Sequence, residues 1–442
     1  MKNNIGLVYI KKRTLPEWLT CFIFIFPLIM GFLTDFLGLP TFVKYSVDIV
    51  YVIAVLFLTS KKQTLLSKKV IPFFIFASGF FIYTVLVHMF NYQSPFYYLW
   101  GFRNNFRFFI VFLLFTIFFD EDDLKNCLRI MDVMFWVNAV ISFFQFVFLG
   151  YEQDHLGGIF GIAKGCNAFT LIFFGIVIGK SVLSFMSENE NSLLCFTKCG
   201  ISLVIAAMAE LKVYFILFTF IMVVSAFITK FSFRKLSLML VSAVMLIFAS
   251  MIITTIFKNQ DMVSVEGLLE TIMAKNYATA EDLGRFTAIP TISRNILTKP
   301  WEKIFGLGLG NCDTSSFAIC NTPFYQSHSY LHYEWFSSAM MFLETGYLGL
   351  IAYLSFFAMC FVLARKRMKS GLSEELFCQI SMITSLICLI MVFYNSALRT
   401  EAAYLSFFAL SPIASEYPAF LQALRIPLIR YCASLSAKQY LI

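Results

Sequence analysis

Charged side chains are scarce in this sequence: Asp, Glu, Lys and Arg make up 14% of its 442 residues, against about 25% in an ordinary globular chain. With 59% hydrophobic residues, that scarcity excludes soluble domains and intrinsic disorder as whole-chain readings. It excludes a nucleic-acid-binding domain as well, so the formal net charge of +8 has to be read by position. The eleven cysteines are scattered, mostly inside apolar runs, which excludes a secreted disulfide scaffold and leaves most of them as small buried hydrophobes. The first apolar run has no small-residue cleavage pattern after it and reads as a retained span. No internal repeat is visible.

What the sequence does have is long apolar runs and a mean hydropathy of +0.78. Each run matches the hydrocarbon core of about 30 Å that a helix of about 20 residues crosses. The runs lie near 19–39, 42–59, 70–90, 97–119, 128–149, 166–186, 193–209, 211–229, 236–257, 336–363, 373–394 and 402–418. Backbone amides in hydrocarbon must be bonded within the chain, so these runs are predicted as helices. The expected fold is an all-α polytopic membrane protein of about twelve spans. Residues 1–257 form a bundle of about nine spans, 258–335 one long extracytoplasmic loop with short helices, and 336–442 about three spans and a tail.

Lys and Arg accumulate in cytoplasmic loops. If Lys11-Lys12-Arg13 starts inside, strict alternation brings Lys61, Lys62, Lys68, Lys69, Lys125, Arg129, Lys198, Lys230, Arg234, Lys235 and the Arg365-Lys366-Arg367 cluster to that same side. The tail with Arg425, Arg430 and Lys438 follows, so both termini are expected in the cytoplasm.

A small set of charges remains outside. Arg103 and Arg107 lie in Gly101-Phe102-Arg103-Asn104-Asn105-Phe106-Arg107, at the i, i+4 spacing that shares one helical face. They either snorkel to headgroups or face the bundle interior and mark a ligand route. Lys164 follows a glycine-containing outer loop, Asp154 to Gly161, whose glycines allow close backbone approach. Glu210-Leu211-Lys212 and Arg399 with Glu401 mark two outer turns, and Lys44 with Asp48 reads as a structural pair. The long loop exceeds the usual length for a passive connection. It has a helical pattern around Val265 to Ala278, then Gly284-Arg285-Phe286, Pro300-Trp301, Phe305-Gly306-Leu307-Gly308-Leu309-Gly310 and Gln326-Ser327-His328-Ser329-Tyr330-Leu331-His332. The GxGxG follows no strand and opens no helix, so it does not read as a dinucleotide site. Cys312 and Cys320 share this loop, where oxidising conditions allow them to pair. His328 and His332 lack a third ligand at fixed spacing, so no metal is expected. An imidazole acting as general base or hydrogen-bond donor is the alternative to one used for packing.

In order, Arg103-Asn104-Asn105-Phe106-Arg107, Gly284-Arg285, Pro300 to Gly310, His328-Ser329-Tyr330-Leu331 and Glu344-Thr345-Gly346 with Gly349 resemble the O-antigen polymerase and O-antigen ligase superfamily of bacterial envelope polysaccharide enzymes. The likeness covers the topology, with its specific residues mainly within 284–350. It implies a fold like the membrane-embedded GT-C-type glycosyltransferases in the bacterial cytoplasmic membrane. It also implies a polymerase that transfers an undecaprenyl-diphosphate-linked oligosaccharide to the sugar of another lipid-linked unit at the outer face, without cofactor or metal. A ligase would use a different acceptor. Membrane lipid, a flippase and a chain-length regulator are the implied partners, and nucleic acid is not. Lys212 stands where the family commonly has arginine, and Ser329 where it often has asparagine after the histidine.

The residues supply matching chemistry on their own. A diphosphate leaving group calls for concentrated positive charge, best as arginine forks, and Arg103, Arg107, Lys212, Arg285 and Arg399 all fall at the outer face by the topology above. The acceptor hydroxyl calls for a base, with His328 or His332 as candidates and His328 favoured by the Tyr330-Leu331 that follows. A lipid-linked oligosaccharide flippase is the rival reading. Carriers of that kind often show internal repeats and midplane sites, whereas here the charges gather beside one long outer loop.

Overall fold

A computed structural model of the chain describes residues 13–163, 165–229, 233–257, 282–315, 317–370 and 375–415. Lys11, Lys12, Lys164, Lys230, Arg425, Arg430, Lys438 and the 265–278 pattern lie outside the described residues. The protein is an all-helical polytopic membrane protein, with no strand among the described residues. Its bundle helices are α1 (Leu15–Asp35), α2 (Ser46–Leu56), α3 (Ile71–Phe90), α4 (Pro95–Asn105), α5 (Arg107–Phe118), α6 (Glu121–Leu149) and α7 (Asn167–Met186). There follow α8 (Ser192–Met208), α9 (Lys212–Ile228), α10 (Phe233–Phe257), α11 (Ser337–Ser370), α12 (Glu375–Tyr394) and α13 (Ala402–Leu410).

The described parts of the twelve apolar runs fall largely on helix. Among the described residues eight segments are long and apolar enough to cross a membrane, with α2 counted together with its flanking 3-10 turns as Thr41–Lys61, and α4 with α5 makes a bent ninth. Three helical segments, Ser192–Met208, Lys212–Ile228 and Ala402–Ile413, are shorter. Helix α6 shows how local sequence sets the ends. Asp120 and Asp123 form a reciprocal capping box, three acids occupy the first turn, and Gly150 closes the far end at φ 69°. Helix α7 is the most enclosed of the eight, surrounded by α8, α9, α12 and α13.

Phenylalanine builds much of the interior. Phe73, Phe80, Phe109, Phe112, Phe356 and Phe407 interlock across α3, α5, α11 and α13, with Phe109 edge-on to Phe356 at 4.8 Å. Edge-to-face rings add attraction beyond the area they bury.

Two breaks depart from the twelve straight spans expected. The predicted 97–119 helix bends by 45° between α4 and α5. Here Asn105 Nδ2 donates to Gly101 O at 3.0 Å, a side-chain bond back to the preceding turn just before the bend. Helix α11 kinks at Gly346, whose φ of 64° is left-handed.

Both breaks receive the same strap. Leu307 N and Gly308 N donate to Leu343 O and Glu344 O at 2.8 and 2.9 Å, docking the glycine-rich segment on the kink. Gly310, at φ 82°, lies against α4, and a Cβ there would overlap Tyr97 O, just as a Cβ at Gly101 would overlap Gly310 N. The GxGxG therefore permits backbone-to-backbone contact. Gly310→Ala combines this overlap with a left-handed φ and is expected to destabilise the protein by more than the roughly 1 kcal/mol typical of point changes. Thermal unfolding in detergent checks it, and an unchanged midpoint would refute the strap.

The loop at 157–161 enters the bundle instead of lying over it. Gln145 exchanges two 2.8 Å hydrogen bonds with Gly158, and Asn138 Oδ1 accepts from Ile159 N at 2.9 Å. Non-helical backbone at such depth is stable only when protein groups satisfy it. The predicted close approach of its glycines is seen against α1, where Asp35 Oδ2 accepts from Ile162 N at 2.7 Å.

Candidate functional site

Loops that charge sorting assigned to the outer side meet at one end. Trp100 Nε1 donates to Thr314 O at 2.9 Å, and the Tyr45 ring lies 5.6 Å from that of Phe317. Beneath these contacts the α4–α5 bend collects charge. Arg103 Nε donates to Asp48 Oδ2 at 2.8 Å, and Arg107 Nη1 to Asp48 Oδ1 at 3.3 Å. The i, i+4 pair thus shares one carboxylate and faces the interior; Arg107 is only 2% exposed, which overturns the snorkelling alternative. Asp48 serves these arginines and is not the partner expected for Lys44, which lies over the Tyr45 ring at 5.5 Å. Arg103 also lies over Tyr45 and Trp100, and Arg107 over Phe108 and Tyr404, at 4.6–5.3 Å. Arg107 Nη2 is 3.9 Å from Glu401 Oε1. Burial pushes the Glu401 carboxyl up, but Arg107, aided by Lys44 and Arg103, outweighs it and holds the group below its ordinary value.

Arg399 completes this end. Its Nη2 donates to Asp313 Oδ2 at 2.7 Å and its Nε to Asn105 Oδ1 at 3.1 Å, while Asn104 Nδ2 reaches the same Asp313 oxygen at 2.8 Å. The strap delivers Asp313, and Glu344 lies at the kink, 1% exposed, with its Oε1 buried and without a hydrogen-bond partner. Burial works against the Arg399 charge, yet Asp313 and Glu344 outweigh it and raise its already high pKa. Sequence reading singled out neither Asp313 nor any role for Glu344. The Glu344-Thr345-Gly346 triplet was the available signal, since a helix-breaking glycine beside an acid inside an apolar run marks a special backbone.

The histidines lie on the loop next to α11. Leu283 N donates to Leu331 O at 3.2 Å and draws the start of the described loop to their side. His332 stacks on Trp335 at 4.1 Å, with Nδ1 3.4 Å from Glu334 Oε1 and Nε2 3.9 Å from Asp282 Oδ1. Its φ of 49° is left-handed, a costly state for a side-chain-bearing residue. His328 is plainer: its Nδ1 contacts Ser327 Oγ at 2.8 Å and Phe324 O at 3.2 Å within its own turn, and its ring stacks on Phe324. Of the two histidines, His332 is the one with acidic neighbours among the described residues.

Arg285 lies over the Tyr394 ring at 4.4 Å, with Nη2 3.5 Å from its hydroxyl. The next residue, Asn395, accepts from Ser337 N and Oγ through its carbonyl, and the turn continues to Arg399. Arg285 and Arg399 thus lie at the two ends of one turn, Tyr394 to Arg399. Lys212 is engaged by its own turn, 3.2 Å from Glu210 Oε1. Cys312 and Cys320 are free thiols, contrary to the pairing allowed above, and burial, with Glu344 and Asp313 nearby, pushes the Cys312 thiol well up. Among the described residues no group of three or more His, Cys, Asp or Glu is placed to hold a metal ion. No protein-family model and no curated protein matches the chain.

Proposed function

We propose that the protein is a polysaccharide polymerase of the bacterial cytoplasmic membrane, with about twelve spans, a GT-C-like fold, cytoplasmic termini and its site on the outer face. It joins an undecaprenyl-diphosphate-linked oligosaccharide to the sugar of a second lipid-linked unit. The observation that carries this reading is His332, flanked by Asp282 and Glu334, on a loop whose Leu331 carbonyl accepts from Leu283 N two residues before Arg285. In the reaction an acceptor hydroxyl oxygen forms a bond to the anomeric carbon while the bond from that carbon to the diphosphate oxygen breaks. The lipid diphosphate leaves with the electron pair, and the imidazole of His332 takes the hydroxyl proton. Arg103, Arg107, Arg285 and Arg399, with Lys212 as an outlying point charge, supply the positive field that favours departure of the anion. The activated anomeric carbon provides the driving force. A ligase would run the same chemistry on another acceptor.

Purified protein in vesicles, given the lipid-linked repeat unit, is expected to produce a ladder of products and release undecaprenyl diphosphate in step. Absence of both sinks the proposal. A lipid-linked oligosaccharide carrier remains the second reading, favoured by the non-helical 157–161 segment inside the bundle. It requires movement of the repeat unit between leaflets with no change in product length.

A further inference from the structure

We propose that Asp48 is an internal counter-anion: it fills the place of one phosphate group between Arg103 and Arg107 and yields it to a diphosphate. The inference rests on the diphosphate-binding reading above. Its geometry is that of a bridging oxyanion, with one carboxylate oxygen on each arginine at 2.8 and 3.3 Å.

Asp48 does not saturate the donors it faces. Arg103 Nη2 and Arg107 Nε are buried and have no hydrogen-bond partner. Each guanidinium carries five N–H donors, whereas a carboxylate offers two oxygens and a diphosphate offers several more. Buried unpaired donors are costly, so a ligand richer in oxygen gains contacts that Asp48 cannot make. The arginines do not depend on Asp48 alone for position, because Tyr45 and Trp100 flank one guanidinium and Phe108 and Tyr404 the other. Asp48 is also well sited to withdraw. Its helix, α2, belongs to the least enclosed of the eight spans, with 17% of the apolar stretch buried against 94% for α7.

Charge gives the expected sign. Arg103 and Arg107 are balanced by Asp48 and, more distantly, Glu401. A diphosphate entering this neutral set meets a carboxylate on its own ground. Removing that charge turns the set positive, and a like charge at this range is worth tenfold or more in an equilibrium.

The test measures inorganic pyrophosphate binding to the full-length protein in detergent by calorimetry. Asp48→Asn is expected to bind about tenfold more tightly than wild type, and Asp48→Asn with Arg103→Gln to lose that gain. Unchanged or weaker binding in Asp48→Asn, or a gain that survives Arg103→Gln, overturns the inference. Should Asp48→Asn not purify, its expression in pyrophosphate-containing buffer is read instead. Recovery of folded protein with pyrophosphate supports the counter-anion role, and no recovery refutes it. Ladder synthesis is scored on the same preparations. A variant series that binds as stated but never makes a ladder keeps the counter-anion and removes the polymerase; ladders without tightened binding do the opposite.

Discussion

His332→Ala is expected to lower chain extension by about 10²–10⁴-fold, the usual loss when a general acid–base group is removed, whereas His328→Ala leaves ladders of ordinary length. The two residues differ in surroundings more than in sequence. The hydrogen-bond partners of His328 are a backbone carbonyl and a serine of its own turn, which is what a helix-end histidine needs and no more. His332 has a carboxylate near each ring nitrogen and an indole stacked against its face at 9°. Such an arrangement fixes the orientation of the ring. His332→Ala keeps a Cβ at this left-handed position, so the backbone cost of about 1–3 kcal/mol is carried by the variant too and folding is checked separately from activity. Surface-polysaccharide ladders from cells carrying each variant, with membrane insertion checked by immunoblot, decide the matter. Normal ladders from His332→Ala would remove it from the site.

Much of this arrangement was legible in the sequence, and what was not has physical reasons. Apolar runs of span length leave helix as the only way to satisfy the backbone in hydrocarbon, so the runs and the helices coincide. The bend at Phe106 was hidden because it falls inside one continuous apolar run, where hydropathy registers no break. Sorting cations by side grouped Arg103, Arg107 and Arg399, and the fold brings the three to one end. The sorting missed the acids that meet them, because Asp48 and Asp313 come from a distant helix and from the strap, and pairing across 55 and 86 positions leaves no local pattern. The glycines of 306–310 were visible as a motif, but their purpose depends on what they touch: Tyr97, Gly101 and the α11 kink.

Arg399→Met is expected to cost about 3–5 kcal/mol, the range for removing one partner of a buried ion pair. The loss comes chiefly from what remains. Asp313 would keep a single neutral donor, Asn104, on the oxygen that now also receives the guanidinium, and Glu344 would stay buried at the kink without its nearby cation. Neutralising the acids should therefore restore stability in steps, with Asp313→Asn recovering part of it and Glu344→Gln in addition recovering most. An apolar or neutral replacement of a whole buried ion set is often no less stable than the original. Thermal unfolding of the single, double and triple variants in detergent measures each step, and a single variant as stable as wild type would show that the cluster does not hold this end together. The repaired triple variant also separates folding from chemistry. If Arg399 only organises the bend, the triple variant folds and polymerises; if its charge stabilises the departing diphosphate, the triple variant folds and makes no ladder. The second result is expected, because restoring neutrality satisfies the fold but leaves the leaving group without its cation.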